Sequence, residues 1–354
     1  MNSLKILVVG GFVYHMYEGA FFDKFLELGY STEKFAISKY LTFNSPNFFL
    51  RNYYKAQYKF NLGPSIVVLN NKLIKKVKEV SPDIVFVYRG KHILPRTLIK
   101  IKEACPNVKC FNYNNDDAFS SKYPRFFWGL YRKSIKYYDH VFCYRSKNIV
   151  DLKKLNYNNT SLLLPYYIKE KNFKEQNCYY NRTYQVVFIG HYEDDGRDEY
   201  IKSLIEVGYK VGLFGTGWEK SPHYKFFINN FGAIKRLNGD SYNATLNDAK
   251  IALVFMSKLN SDEYTRRCFE IPSTGAVMVS ERTPSLMNLF KEDEEIIFFE
   301  TKEDLLYKLK KLFKDEKILE DLSINASNRL VQDKHELTDR LNAVIDKYYQ
   351  IKKK

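Results

Sequence analysis

The 354-residue sequence lacks the marks of several common protein classes. Its five cysteines form no CxxC pair and no Cys/His cluster, which argues against a disulfide framework and a zinc site and favours a reduced, cytosolic protein. No apolar run approaches the roughly 18 residues of a membrane span, and the first residues lack the pattern of a signal peptide. Any contact with a membrane is therefore predicted to be peripheral, at its inner face.

Two nucleotide-binding motifs are also absent. No GxGxxG opens the first predicted helix and no GxxxxGK[ST] occurs, which argues against dehydrogenases and P-loop enzymes. No Asp-x-Asp follows a predicted strand, since Asp116 and Asp117 are adjacent rather than spaced. We therefore predict no metal site and no required cofactor.

Positive charge is abundant, with 56 Lys and Arg against 41 Asp and Glu and a net charge of +15. Such an excess favours polyanionic partners, namely nucleotides, anionic lipid surfaces or nucleic acid. Residues 122–154 mix basic and aromatic side chains, a pattern that fits an amphipathic helix on a membrane surface. A basic, solvated helix with a buried aromatic face fits the same pattern and is the favoured interpretation.

Apolar strands alternate with helices in two successive series, which predicts an α/β protein of two doubly wound Rossmann-like domains facing a cleft. We predict an N-terminal domain over 1–168, a linker over 169–184, a C-terminal domain over 185–335, and a C-terminal helix with a basic tail over 336–354. The predicted strands are residues 5–9, 83–88, 109–113 and 141–143 in the first series, and 185–189, 210–214, 251–255 and 295–299 in the second.

The most informative segment is residues 261–283, which read as a loop, a short helix, a glycine turn and an apolar strand. If the helix begins near Thr265, its first N–H groups and its dipole favour a phosphate. Arg266 and Arg267 in the first turn are unfavourable for that dipole, so they more plausibly serve an anion. Asp262 and Glu270 carry carboxylates that accept hydrogen bonds from sugar hydroxyls. A diphosphate beside diols describes a nucleotide sugar.

The run from Thr265 to Pro272, followed by Gly275 and an apolar strand, resembles the C-terminal domain of family-1-like glycosyltransferases of the spore-maturation CgeB type. The similarity is continuous over about 186–313. The resemblance implies the glycosyltransferase B-fold (GT-B), with Glu270 on the ribose hydroxyls and Asp262 near the donor sugar. This chain has Asp at position 262 where that superfamily commonly has Glu.

Further donor contacts are predicted where strands of the second series end, because ligands of open parallel sheets bind beyond the carboxyl ends of the strands. In the relatives the first such loop also ends in Gly-Arg, so Arg197 resembles a second diphosphate contact; an ordinary arginine at a helix start fits equally well. The remaining candidates are Gly190, His191, Gly215, Gly217 and Trp218, with the glycines allowing close approach of the backbone and Trp218 stacking near the base.

The N-terminal domain should bind the acceptor and supply a base for its hydroxyl group. Candidates for the base are His15, Glu18, Asp116 and Asp117, among which the sequence does not choose. Asp117 fits an ordinary helix cap as well.

These features predict a metal-independent glycosyltransferase of cell-surface glycan synthesis. It would use a UDP-, GDP-, TDP- or CMP-linked donor and a glycan, lipid-linked or protein acceptor, and would not bind nucleic acid. A nucleotide-sugar epimerase of the same fold is one alternative. A non-catalytic protein that binds RNA or anionic membranes is another.

Overall fold

A computed structural model of the chain describes residues 3–41, 45–175 and 181–353. It forms two compact units, one of Met1–Leu164 with Leu337–Lys354 and the other of Pro165–Glu336. Each unit is built on one sheet whose strand pairs are all parallel. The predicted α/β class, with two Rossmann-like sheets, is thereby confirmed. Cys178 and part of the predicted linker lie outside the described residues.

The first unit contains a six-stranded sheet in the order β2-β1-β3-β4-β5-β6. Its inner strands are buried almost throughout, because helices cover both faces of a parallel sheet. The strands are β1 Lys5–Gly10, β2 Ser31–Ala36, β3 Ile84–Tyr88, β4 Lys109–Asn114, β5 His140–Cys143 and β6 Thr160–Leu162.

Seven α-helices belong to this unit among the described residues. They are α1 Ala20–Glu27, α2 Phe48–Phe60, α3 Pro64–Val80, α4 Pro95–Ala104, α5 Gly129–Ser134, α6 Ser146–Lys154 and, from the end of the chain, α14 Leu337–Lys352. A π-helical turn, His15–Gly19, precedes α1. Tyr348 of α14 donates a hydrogen bond to Asp83 at 3.2 Å, which ties the last helix to the start of β3.

The second unit contains a five-stranded sheet in the order β11-β10-β9-β7-β8. Its strands are β7 Tyr184–Ile189, β8 Val211–Phe214, β9 Ala249–Val254, β10 Val277–Glu281 and β11 Ile297–Phe299. Its helices are α7 Arg197–Glu206, α8 Tyr224–Phe231, α9 Asp240–Asn247, α10 Arg267–Ser273, α11 Pro284–Met287, α12 Lys302–Leu312 and α13 Glu316–Gln332. Apolar residues of β7, β9 and β10 form the centre of the core with α7 and α12.

Residues 122–154 are not one amphipathic helix, so the membrane-surface helix considered for them is wrong. The segment is divided among a loop, α5, β5 and α6. Trp128 and Tyr131, two of its aromatic residues, are buried in the core, and so is Arg145. The aromatic residues of this stretch are therefore largely core residues, as the favoured interpretation held.

Within the part of the chain that the structure describes, none of the helices has the length and apolar content needed to cross a bilayer.

Candidate functional site

The second sheet has a topological switch point at the carboxyl ends of β7 and β9. The chain runs from β7 outward to β8 and then returns to β9 on the other side of β7. Ligands of open parallel sheets bind where the strand order reverses in this way, because the loops leaving the two strands diverge there. Of the predicted donor-binding residues, Gly190 and His191 follow β7, those from Thr265 to Glu270 lie beyond the loop after β9, and Gly215, Gly217 and Trp218 follow β8. Ser257, after β9, donates a hydrogen bond of 3.1 Å to Glu193, after β7, and so joins the two loops.

Arg267, the first residue of α10, reaches the end of β7. Its Nη1 donates a hydrogen bond to the Ile189 carbonyl oxygen at 3.0 Å, and its guanidinium lies over the Phe188 ring, 5.8 Å from the centroid. Its Nε is buried without a hydrogen-bond partner. Among the described residues no carboxylate pairs with this arginine. A half-buried guanidinium with an unused donor is suited to an anionic ligand.

Three glycines let the backbone pack tightly beside this guanidinium. A Cβ on Gly190 would lie 2.7 Å from Nη1 of Arg267, and a Cβ on Gly215 would lie 1.9 Å from the Gly190 carbonyl oxygen. Gly217 has a φ of +80°, which L-residues rarely adopt. The Tyr192 N–H donates to the Thr216 carbonyl oxygen at 3.0 Å. The loops after β7 and β8 are therefore held together, with Gly190 directly beside Arg267.

His191 lies in electropositive surroundings. Its pKa is lowered from the ordinary value first by burial and then by the charge of Arg267, with smaller contributions from Arg197 and Arg236. Cations that disfavour protonation of a histidine would equally favour a bound anion. The neutral imidazole can donate one hydrogen bond to such a ligand.

Arg197 does not have the role of a second diphosphate contact in this structure. Its side chain is only 2% exposed, and Nε and Nη2 donate to the two carboxylate oxygens of Asp195 at 2.8 and 2.6 Å. Nη1 donates to the His191 carbonyl oxygen at 2.8 Å. The charge of Arg197 is thus neutralised by Asp195, and its side chain holds in place the loop that contains His191.

Trp218 is also placed differently from the prediction. The indole is 1% exposed and packs against Phe188, Tyr192 and Phe227, so it has no free face on which a base could stack. Its Nε1 donates to the Gly190 carbonyl oxygen at 3.1 Å. Trp218 therefore stabilises the backbone turn at Gly190.

Glu270 lies one turn after Arg267 on α10 and is almost fully buried. Its carboxylate pairs with the guanidinium of Arg266 and accepts a hydrogen bond of 2.9 Å from the hydroxyl of Tyr242, on α9. The pKa of Tyr242 is raised well above its ordinary value, first by burial and then by the charge of Glu270. Each carboxylate oxygen still has a lone pair for a ligand hydroxyl. Tyr242 lies in no motif and is not predicted from the sequence.

The pairing of Arg266 revises one step of the sequence argument. The sequence predicts that both arginines at the start of α10 serve an external anion, yet Arg266 pairs with Glu270, four residues later. The helix begins at Arg267, with Arg266 as its cap residue, two residues after the predicted start at Thr265. Thr265 is buried, and its N–H donates to the Cys268 sulfur at 3.4 Å. Arg267 is thus the better candidate for an anion contact than Arg266.

Asp262 is half-buried in the loop between β9 and α10. Its N–H donates to the Ser257 carbonyl oxygen at 3.0 Å, which closes that loop. Asp262 therefore lies in the same loop as Ser257, after β9. Its role near a donor sugar stays a prediction.

In the first unit the corresponding switch point lies between β1 and β3. Arg89, after β3, has a left-handed φ of +62° and pairs with Asp116, which is the main cause that raises its pKa. Lys91 lies 3.4 Å from the centroid of the Phe127 ring and 4.6 Å from that of Tyr58. Burial, followed by the charge of Arg89, lowers its pKa to about 8. Neither cation was assigned a role from the sequence, although both occupy a strand end.

Asp117 is a structural residue and not a candidate base. Its side chain is fully buried; it accepts hydrogen bonds from Asn148 at 2.9 Å and from the Phe119 N–H at 2.9 Å, and pairs with Lys147 at 3.1 Å. Glu18 is buried beneath the Gly10–Gly11 turn and accepts from the Phe12 N–H. Both carboxylates are therefore engaged in contacts within the protein.

His15 and Asp116 stay open as candidates for the base. His15 is largely exposed and contacts Asp23, while Asp116 is occupied by Arg89. Over the described residues, no group of three or more His, Cys, Asp or Glu side chains is arranged to hold a metal ion.

Residues 197–346 match the family described as "Glycosyl transferase-like". No curated protein matches the chain in sequence. The narrower similarity to the CgeB type stays a prediction.

Several solved structures share the fold over nearly their whole length. A sucrose-phosphate synthase from Thermosynechococcus elongatus has a TM-score of 0.70 at 9% identity, covering 98% of this chain and 99% of its own. A glycosyltransferase from Rickettsia africae has a TM-score of 0.67 at 12% identity, covering 99% of each chain. HepE from Anabaena, solved in complex with UDP-glucose, has a TM-score of 0.64 at 12% identity, covering 98% of this chain and 100% of its own.

Proposed function

We propose that this glycosyltransferase of the GT-B fold takes its sugar from a nucleotide-sugar donor bound at the β7/β9 switch point. In this assignment Arg267 and the His191 loop hold the diphosphate, and Glu270 accepts hydrogen bonds from the ribose hydroxyls. The observation that carries the assignment is the half-buried guanidinium of Arg267, which has an unused Nε and no carboxylate partner among the described residues. The HepE structure with UDP-glucose supports a donor of the same class.

The chemistry follows from these charges. Transfer of the sugar leaves a nucleoside diphosphate, whose negative charge grows as the glycosidic bond breaks. A guanidinium in a half-buried site stabilises this charge more strongly than one in open water, because the local dielectric constant is lower. Arg267 thus supplies positive charge to the leaving group without requiring a metal ion. Asp262, on the loop before α10, is proposed to lie near the donor sugar.

We assign the acceptor to the first unit, and its class to glycans, lipid-linked sugars or proteins of the cell surface. We propose His15 or Asp116 as the base that accepts the proton of the acceptor hydroxyl, since Asp117 and Glu18 form hydrogen bonds within the protein.

The experiment measures binding of UDP, GDP, TDP and CMP to the full chain by calorimetry, followed by product analysis with the matching nucleotide sugars. One nucleotide should bind in the micromolar range, and its affinity should fall in Arg267→Ala but not in Arg96→Ala, an exposed arginine of α4. Release of an epimerised sugar without any acceptor would instead assign an epimerase. Binding of oligonucleotides in place of all four nucleotides would remove the donor site altogether.

A further inference from the structure

A second surface of the molecule combines positive charge with exposed aromatic side chains. Between Lys34 and Lys78 the sequence contains eight lysines and one arginine and not a single Asp or Glu. Two of these lysines pair with acids that flank the segment, Lys76 with Glu33 and Lys75 with Glu79, whereas Lys55 and Lys59 of α2 have no carboxylate partner among the described residues. This segment includes α2 and most of α3.

The helix α2 presents apolar side chains to solvent. Phe49 is 81% exposed, and Tyr53 and Phe60, which follow it at helical spacing on the same face, are 49% and 46% exposed. Leu62, just after the helix, is 70% exposed. Soluble proteins rarely leave a row of large aromatic side chains in water, because burying such rings is favourable. The row indicates a surface that meets a partner.

Hydrogen bonds at both ends of α2 hold the helix in place, so the exposed row has a fixed direction. Buried Gln57 accepts a hydrogen bond from the Ser65 N–H at 2.8 Å, and Asn61 donates to the Phe127 carbonyl oxygen at 3.1 Å. At the start of the helix, the Asn47 side chain accepts from the N–H groups of Phe49 and Leu50. The helix therefore cannot simply roll over and bury its aromatic residues.

A neighbouring loop extends the same surface. Phe126, itself 41% exposed, packs against Phe60 with ring centroids 5.0 Å apart. Exposed Lys122 and Arg125 lie in this loop. Only these first residues of the basic and aromatic stretch 122–154 reach the surface described here.

We propose that α2 and the adjoining loop bind to the surface of a bilayer that contains anionic lipids. We call the exposed side chains of Phe49, Tyr53, Phe60 and Phe126, together with the apolar Leu62 just after α2, the aromatic row. The row enters the headgroup region, while Lys55 and Lys59 of α2, with Lys122 and Arg125 of the loop, face lipid phosphates. Aromatic rings favour this interfacial depth, and each Lys or Arg near an anionic surface adds about 1 kcal/mol of attraction.

The charge pattern favours a bilayer over a second copy of the chain. Two copies meeting through this surface would bring two sets of cations together, with no acidic residue between Lys34 and Lys78 to compensate. An anionic bilayer supplies the opposite charge over a wide area. The inference does not depend on the donor site or on sugar transfer.

The test is flotation of the full chain with vesicles of phosphatidylcholine, alone or mixed in equal parts with phosphatidylglycerol. The protein should float with the mixed vesicles at low salt, remain at the bottom with phosphatidylcholine alone, and dissociate in molar salt. The double substitution Lys55→Glu/Lys59→Glu should weaken binding at least about tenfold, because two attractive charges become repulsive. Phe49→Ser/Tyr53→Ser should weaken it comparably without unfolding the protein, since both side chains are exposed.

Matched controls come from the second unit. Tyr307→Ser/Val331→Ser removes two apolar side chains of similar exposure, 69% and 66%, and Lys310→Glu/Lys311→Glu reverses two exposed charges of α12. Both controls should float like the unaltered protein. Equal loss in the control variants would overturn the proposal, and so would flotation with uncharged vesicles alone. A dimer that dissociates in Phe49→Ser/Tyr53→Ser, with no change in flotation, would assign the row to a second copy instead and reject the bilayer.

Discussion

At the carboxyl end of β7, the guanidinium of Arg267 donates a hydrogen bond of 3.0 Å to the carbonyl oxygen of Ile189. This bond uses one donor of the guanidinium, and the Nε donor has no hydrogen-bond partner among the described residues. Burial and the charge of Arg267 both lower the pKa of His191. The two residues therefore form an electropositive centre. Arg267 is held in place by its bond to a backbone carbonyl oxygen, and His191 is kept in its neutral form.

Replacing Arg267 by Lys should cost more than the charge-conserving change suggests. The lysine ammonium group lacks the planar set of parallel N–H donors with which a guanidinium can bond to Ile189 and to a diphosphate together. We expect the dissociation constant for the preferred nucleoside diphosphate to rise about 10- to 100-fold, from the loss of one charged hydrogen bond. Calorimetry measures this, with Arg96→Lys as the control. An unchanged affinity would show that the guanidinium does not contact the diphosphate.

The substitution Gly190→Ala tests the close approach of the turn to Arg267. The added methyl group would lie 2.7 Å from Nη1 of Arg267 and 2.6 Å from Cζ of Phe188, so the guanidinium must move. We expect a lower affinity for the nucleotide together with a moderate fall in melting temperature. The control is Gly129→Ala, at a helix start where nothing lies within 4 Å of the new atom. If the nucleotide affinity of Gly190→Ala equalled that of the control variant, the turn would have no part in binding.

Tyr242 is predicted to act through Glu270 as a positioning residue. Tyr242→Phe removes the hydroxyl that donates to the Glu270 carboxylate at 2.9 Å and leaves the ring in place. If Glu270 binds ribose hydroxyls, the affinity for a nucleoside diphosphate should fall several-fold while that for inorganic pyrophosphate stays constant. Glu270→Gln should show the same selectivity with a larger effect. Equal losses for both ligands would indicate a general structural defect.

The sequence predicted those parts of the fold that rest on continuous apolar runs. The strands Lys5–Gly10 and Tyr184–Ile189 are largely buried on both faces of their sheets, so each leaves a continuous apolar run in the sequence. The strand Ser31–Ala36 was missed because it pairs with only one neighbour and mostly carries exposed polar residues. The helix Phe48–Phe60 was missed because its outward face is aromatic, which obscures the helical period.

Site roles were harder to predict than strands, for a physical reason. Whether an arginine serves a ligand depends on whether a carboxylate lies within reach in the folded chain. Arg197 is neutralised by Asp195 and Arg266 by Glu270, whereas Arg267 has no such partner among the described residues. Similarly, the indole of Trp218 turns inward rather than toward a ligand. The sequence places these residues near the ends of strands, but side-chain packing determines which of them can contact a ligand.

Asp117 and Asp116, adjacent in sequence, should respond differently to substitution by Asn. Asp117→Asn replaces the fully buried carboxylate oxygen that pairs with Lys147 by an amide NH2 group, while Lys147 keeps Asp151 at 2.7 Å, and should lower the unfolding free energy by about 1 to 3 kcal/mol. Asp116→Asn removes a partner of the more exposed Arg89 and should destabilise less. Denaturant unfolding compares the two. A larger loss of stability in Asp116→Asn would contradict the structural role given to Asp117.

His140 should make stability depend on pH in the acidic range. Burial, and then the charge of Lys347, lower its pKa from 6.5 to about 4. The unfolded chain therefore binds a proton at a higher pH than the folded protein, so the unfolding free energy falls as pH drops from about 6.5 to about 4 and this contribution then levels off. His140→Asn, whose amide can still bond to Ser161, removes this titration. Denaturant unfolding across that range should show a smaller loss in the variant, by on the order of 2 to 3 kcal/mol. Parallel curves for the two proteins would mean that His140 is not buried in its neutral form.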